Sequence, residues 1–125
     1  MLIDTTYLID FHTERQNRRN GPAVRFASRH RSQQFTISVI SLGEFAAGFD
    51  DDAIARNFLA RFRCFRLTPE IAYTAAAIER LLLSTGSRLG ENDNWIAATA
   101  RYYGLPVVSN DEAFDRVPGL RRIHY

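Results

Sequence analysis

Short apolar and β-branched runs, each followed by a stretch with helical signals, limit the folds open to this chain more than any other feature. "MLI" at 1–3, "QFTISVIS" at 34–41, "CFRLT" at 64–68 and "PVVS" at 106–109 read as strands, with a last short one near 121–123. Thr5 or Thr6 can cap a short helix over about 6–12. Asn20-Gly21-Pro22 forms a turn, and Pro22 is preset for the first turn of a helix over about 22–31. Ser41 and Glu44 stand at capping-box spacing at the start of "SLGEFAAGF". Asp50, Asp51 and Asp52 place negative charge at the N-terminus of a helix reaching about Phe62, where the macrodipole favours it. Pro69 opens the longest helix, to about residue 84, along which Ile71, Ala75, Ile78 and Leu82 recur as a core stripe. After the loop "GSRLGEN", a helix runs from Asp93 to Tyr103 and stops at Gly104. Strands alternating with helices predict a three-layer α/β domain, a mainly parallel central sheet flanked by helices. In such folds, sites form beyond the carboxyl ends of the strands.

At 125 residues the chain has the size of one domain, taken as 1–125. No run reaches the roughly 18 apolar residues of a membrane span, and the N-terminus does not read as a secretory signal. Cys64 is the sole cysteine, which excludes an internal disulfide and fits a reducing cytoplasm. With His12, His30 and His124 scattered, there is no zinc-ligand spacing. His12, near the end of the first helix, reads as a surface residue.

All 16 basic residues are arginine. A chain without lysine has no Walker-type phosphate loop and no Schiff-base chemistry. Arg15, Arg18, Arg19, Arg25, Arg29 and Arg31 form one cluster, Arg56, Arg61, Arg63 and Arg66 another, and the acids hold the net charge to +2. The guanidinium fork pairs well with phosphate. A basic stretch interleaved with Phe26 and Phe35 is compatible with nucleic acid, and also with a solvated helix face.

The acids carry the sharper signal. Asp4 ends the first strand, where a buried strand gains nothing from a carboxylate, and Asp111 follows the strand ending at Ser109. Glu44 and Asp93 stand at the starts of two helices. Singly, each has a bland reading: Glu44 in a capping box, Asp93 as a helix cap, Asp111 in a turn. Together they would repel, by roughly 4 kcal/mol for a pair 4 Å apart at an effective dielectric near 20. Such a cluster needs protons, cations or arginines. Hard divalent ions accept all-oxygen sites, and in such a site they activate water and clamp a phosphodiester.

"LIDTTYLI", "SVISLGEFAAG", "ENDNWIAATA" and "PVVSNDEAF" together resemble the PIN domain family, and closely its VapC-like toxins of bacterial toxin–antitoxin pairs. The resemblance covers nearly the whole chain, with the motifs in the family's order. It implies a PIN-like fold and places the family's acids on Asp4, Glu44, Asp93 and Asp111. It implies a Mg²⁺-dependent (or Mn²⁺-dependent) endoribonuclease, held inactive by a small cognate antitoxin. Asp4 and Asp93 are then the direct metal ligands, with Glu44 and Asp111 binding directly or through water. Thr5, Ser109 and Asn110 are candidates to orient the carboxylates, and Arg15, Arg18 and Arg19 to line an RNA path. Family members commonly dimerise, so a homodimer is expected. The family's first motif commonly reads Asp-Thr-Asn, whereas Thr6 stands at the Asn position here.

Other readings fail on particular residues. An Asp-x-Asp phosphatase needs an acid where Thr6 stands, a receiver domain needs a lysine, and no G-x-G-x-x-G follows the first strand. The alternative that survives is a non-catalytic interaction module whose acidic pocket binds an arginine of a partner protein.

Overall fold

The computed structural model describes residues 1–125. Strands β1 (Leu2–Ile3), β2 (Thr36–Ser38), β3 (Arg63–Phe65), β4 (Val107–Val108) and β5 (Arg122–Ile123) form one sheet in the order β3-β2-β1-β4-β5. Every neighbouring pair is parallel, not merely most of them. Parallel neighbours need crossover connections, and helices supply them. Helices α1 (Thr5–Gln16) and α2 (Pro22–Arg29) link β1 to β2, and α3 (Val39–Ala46) and α4 (Ala53–Leu59) link β2 to β3. The longest connection, from β3 to β4, carries α5 (Pro69–Ser84) and α6 (Glu91–Tyr102). A 3₁₀ turn, Glu112–Arg116, precedes β5.

Successive strand residues point to opposite faces, so strands of two residues serve two cores. Leu2 and Val107 join Phe65, Ile96 and Phe114 on the α5–α6 side. Ile3 and Val108 join Tyr7, Phe26, Ile37 and Phe58 on the other. The predicted stripe Ile71, Ala75, Ile78 and Leu82 is buried throughout. No helix is long and apolar enough to cross a membrane.

Three expectations change in the structure. The first helix runs Thr5–Gln16, not 6–12, and its cap is Asp4 instead of Thr5 or Thr6: Asp4 Oδ1 accepts the Tyr7 backbone N–H at 2.8 Å. The polar residues past position 12 remain helical, and Glu14 among them reaches the next helix. Its carboxylate accepts the N–H groups of Ala23 and Val24, at 3.3 and 2.8 Å, in the first turn of α2. Gly21 makes room for this, since a Cβ there would stand 2.2 Å from the Glu14 carboxyl carbon. The third helix starts at Val39, inside a run that reads as strand, because the Ser38 hydroxyl accepts the Ser41 N–H at 3.1 Å and caps it. Ser41 and Glu44 therefore form no capping box. His12 is half-buried, not a surface residue, with Phe45, Phe49 and Phe58 edge-on to its ring at 4.8–5.5 Å. That burial, with Arg61 second, pulls its pKa down.

Candidate active site

β1 and β4 lie side by side with Ile3 opposite Val108, so the next residues, Asp4 and Ser109, leave the sheet at the same edge. Asp4 is only 4% exposed and Ser109 is fully buried. Burial pushes the Asp4 carboxyl up to about 6, with smaller upward contributions from the charges of Asp93 and Asp111. The Ser109 hydroxyl and the Tyr7 N–H oppose that shift. The bland and the sharp readings of Asp4 thus both hold: it caps α1, and it does so as a buried acid among other acids.

Glu44 projects from α3, where both its oxygens are taken. Oε2 accepts the Thr5 hydroxyl, and Oε1 accepts the Asn92 side-chain amide at 2.8 Å. One carboxylate therefore ties together the starts of α1 and α6. Asp93, half-buried in the first turn of α6, does not cap that helix; Gly90 holds the cap position with no side-chain bond. Burial raises the Asp93 pKa, followed by the charges of Asp111 and then Glu44. Asp111 caps the 3₁₀ turn by accepting the Ala113 N–H at 2.8 Å, and its own N–H donates to Ser109 Oγ at 3.0 Å. Mutual repulsion thus links all four acids at the carboxyl edge of the sheet, through four separate chain segments. Repulsion acts over longer range than ligation, and no three acid, histidine or cysteine side chains stand close enough to hold one metal ion between them.

Of the residues expected to orient the carboxylates, Thr5 holds Glu44 and Ser109 lies beside Asp4. Asn110 faces elsewhere: its Oδ1 accepts the Tyr125 backbone N–H at 3.1 Å, which ties down the end of the chain. The Tyr125 hydroxyl donates to Asp10 at 2.7 Å, and its ring packs edge-on to Tyr7. Asn92 is the residue that sequence reasoning missed; its only signal is an amide one position before Asp93 in "ENDN". Thr6, at the position where the family commonly has Asn, is exposed. Arg15, Arg18 and Arg19 lie at the far end of α1, whose 12 residues span about 18 Å, so they stand apart from the carboxylates. Phe26 is core, stacked on His30 at 4.1 Å, and offers no face to a base.

An all-parallel α/β sheet with carboxylates from four segments at its carboxyl edge defines a domain built around an acidic mouth. The chain belongs to the PIN domain family, whose sequence model matches residues 1–120. It is similar to Ribonuclease VapC2 of Haemophilus influenzae, 40% identical over 70 residues, which are 55% of this chain and 53% of that protein. The matched stretch thus spans about half the length of that curated relative. Its fold is similar to that in the crystal structure of VapBC2 from Rickettsia felis bound to a promoter DNA fragment, with a TM-score of 0.81 at 19% identity, covering 98% of this chain and 96% of the other. A chain of a toxin–antitoxin complex from Klebsiella pneumoniae superposes with a TM-score of 0.72 at 24% identity, covering 95% and 93%.

Proposed function

We propose that the chain is a metal-dependent endoribonuclease and the toxin of a toxin–antitoxin pair. The observation that carries this reading is the linked set Asp4, Glu44, Asp93 and Asp111, two of whose members have raised pKa values at one sheet edge. Similarity to a protein named ribonuclease supports the activity, and likeness to a chain of a toxin–antitoxin complex supports the partner.

The donor set suits Mg²⁺ or Mn²⁺, being all oxygen and short of positive charge. Mg²⁺ usually keeps several waters beside one or two carboxylates, which suits acids that are not drawn into a closed cage. Asp4 and Asp93 would hold the ion, with Glu44 and Asp111 binding it directly or through water. When bound, the ion supplies a water of lowered pKa and stabilises charge on the scissile phosphate. The chain's own residues set the positions. Thr5 and Asn92 fix both oxygens of Glu44, the start of α1 fixes Asp4, and Ser109 connects Asp4 to the backbone of Asp111.

In this reading an antitoxin places an arginine or a helix over the mouth, because a guanidinium neutralises carboxylates without doing chemistry. The same open set of acids also supports a second reading, a module that only binds a partner's arginine. Purified protein incubated with structured RNA separates them. We expect cleavage with Mg²⁺ or Mn²⁺ that stops in EDTA, and growth arrest on expression without a partner. Cleavage unchanged by EDTA removes the metal, and no cleavage with either ion leaves the binding module.

A further inference from the structure

The opposite edge of the sheet carries the reverse charge pattern. Three hollows of about 490, 350 and 300 Å³ lie in a row there, and each shares wall residues with the next: Phe11, Arg15, Ala27 and Arg31 between the first two, Gln33, Gln34 and Arg63 between the last two. Arg15, Arg18, Arg19, Arg31, Arg61 and Arg63 line the strip, all are exposed, and no carboxylate lines any part of it. The strip sits where α1 and α2 end and where β2 and β3 begin, so it is the amino edge.

Helix ends alone do not account for these arginines. Arg15 is in the last turn of α1, and Arg61 Nε donates to the Phe58 carbonyl at 2.9 Å just past α4, so those two do complement helix C-termini. Arg18, Arg19, Arg31 and Arg63 lie outside the helices. The ion pairs of the chain are Arg56–Asp52 and Arg122–Asp115, neither of them on the strip. The nearby acid Glu14 is occupied by the amides of α2, and Asp10 by Tyr125. Arg15, Arg61 and Arg63 also lie over the rings of Phe11, Phe58 and Phe65, contacts that leave the charge in place. Six like charges therefore face water with no carboxylate to neutralise them.

We propose that this strip binds the phosphodiester backbone of a nucleic acid strand, on the edge of the sheet opposite the carboxylates. A row of connected hollows fits a linear polyanion better than a single small anion. Guanidinium forks match phosphate oxygens. Phe35 and Phe62, half-buried in the middle hollow, supply apolar floor of the kind on which bases stack. The site is separate from the acidic mouth and is independent of any cleavage there.

The test measures fluorescence anisotropy of a 2′-O-methyl RNA oligonucleotide, which resists cleavage, in EDTA and at salt from about 50 to 200 mM. Each phosphate contact contributes roughly 0.7 to the slope of log affinity against log salt for a single strand. The triple variant Arg15→Gln, Arg31→Gln, Arg63→Gln is expected to reduce that slope by about 2 and to weaken binding about tenfold or more. Arg56→Gln, Arg80→Gln, Arg88→Gln makes the same change in net charge off the strip and is expected to leave the slope near the parent's. Equal losses from both triples overturn the proposal, as does an unchanged slope in the strip triple. Displacement of the RNA by a poly-glutamate peptide at matched charge also overturns it, in favour of an acidic protein face. If the strip triple melts early, Arg31→Gln alone decides: a slope lower by about 0.7 supports the site and an unchanged slope refutes it. No metal is present, so a failure of the ribonuclease reading leaves this result standing.

Discussion

The two edges of this sheet handle like charges in opposite ways. At the carboxyl edge, acids are tethered and two are drawn inward: Asp4 is buried on a helix cap, Asp93 is half-buried, and Glu44, though exposed, is held by Thr5 and Asn92. At the amino edge, arginines stand in water, and none is paired with a carboxylate. Buried like charges cost folding energy, whereas exposed ones are screened within about 8–10 Å at physiological salt. The fold thus carries strain at one edge and almost none at the other. Strained, fixed charge suits chemistry on a bond, and loose, screened charge suits holding a flexible polyanion.

The largest effect is expected from neutralising the tethered edge. Asp93→Asn removes one charge and keeps the shape, and we expect RNA cleavage to fall at least ~100-fold, the scale seen when one preorganised electrostatic contact to a transition state is lost. Toxicity on expression should disappear with it. RNA affinity in EDTA should stay near the parent's, because the arginine strip is untouched. An Asp93→Asn protein as toxic as the parent would break the division of labour between the edges.

A second, smaller effect concerns stability. The folded Asp4 value of about 6 lies above its ordinary 3.8, so the folded chain holds this proton more tightly than the unfolded chain does. Folding is therefore penalised at Asp4 above about pH 6, and the penalty fades as pH falls toward 4. Asn keeps an acceptor for the Tyr7 N–H and caps as well as Asp. Asp4→Asn should raise the melting temperature at pH 7.5 in EDTA by several degrees, from roughly 2 kcal/mol of relieved burial cost. The gain should shrink to near zero at pH 4, and Mg²⁺ should stabilise the parent more than the variant by mass action. A variant less stable than the parent in EDTA at pH 7.5 would make Asp4 a cap and nothing more.

The contrast between the edges was only half legible in the sequence. Strand positions, the parallel sheet and the core stripe of α5 follow from local pattern, because apolar period and Pro69 act within a few residues. The convergence of Asp4 and Asp111 follows from strand order once the sheet is parallel. One failure is local: the Ser38 hydroxyl caps a helix by accepting the Ser41 N–H inside a β-branched run, against that run's strand propensity. The others depend on groups distant in sequence. Asn92 holds Glu44 across 48 positions, and Asn110 points to the chain end instead of to the acids. The arginines read as a cluster near the first helix, yet only the length of α1 shows that they belong to the other edge.

The smallest effect separates a tether from the charge it holds. Thr5→Val removes the hydroxyl that donates to Glu44 Oε2 and leaves the carboxylate bonded to Asn92 alone. Glu44 is exposed, so water replaces the lost bond, and the stability change should be within about 1 kcal/mol. The rate tells more. If Glu44 must be held in one orientation, cleavage should drop a few-fold in Thr5→Val and in Asn92→Ala. The double variant should then lose more than the product of the two, since both bonds restrain a single group. Strictly multiplicative losses would mean the two residues act on separate things. Unchanged rates in all three would make Glu44 a loose charge like those of the arginine strip, and the difference between the edges would then lie in burial at Asp4 and Asp93 alone.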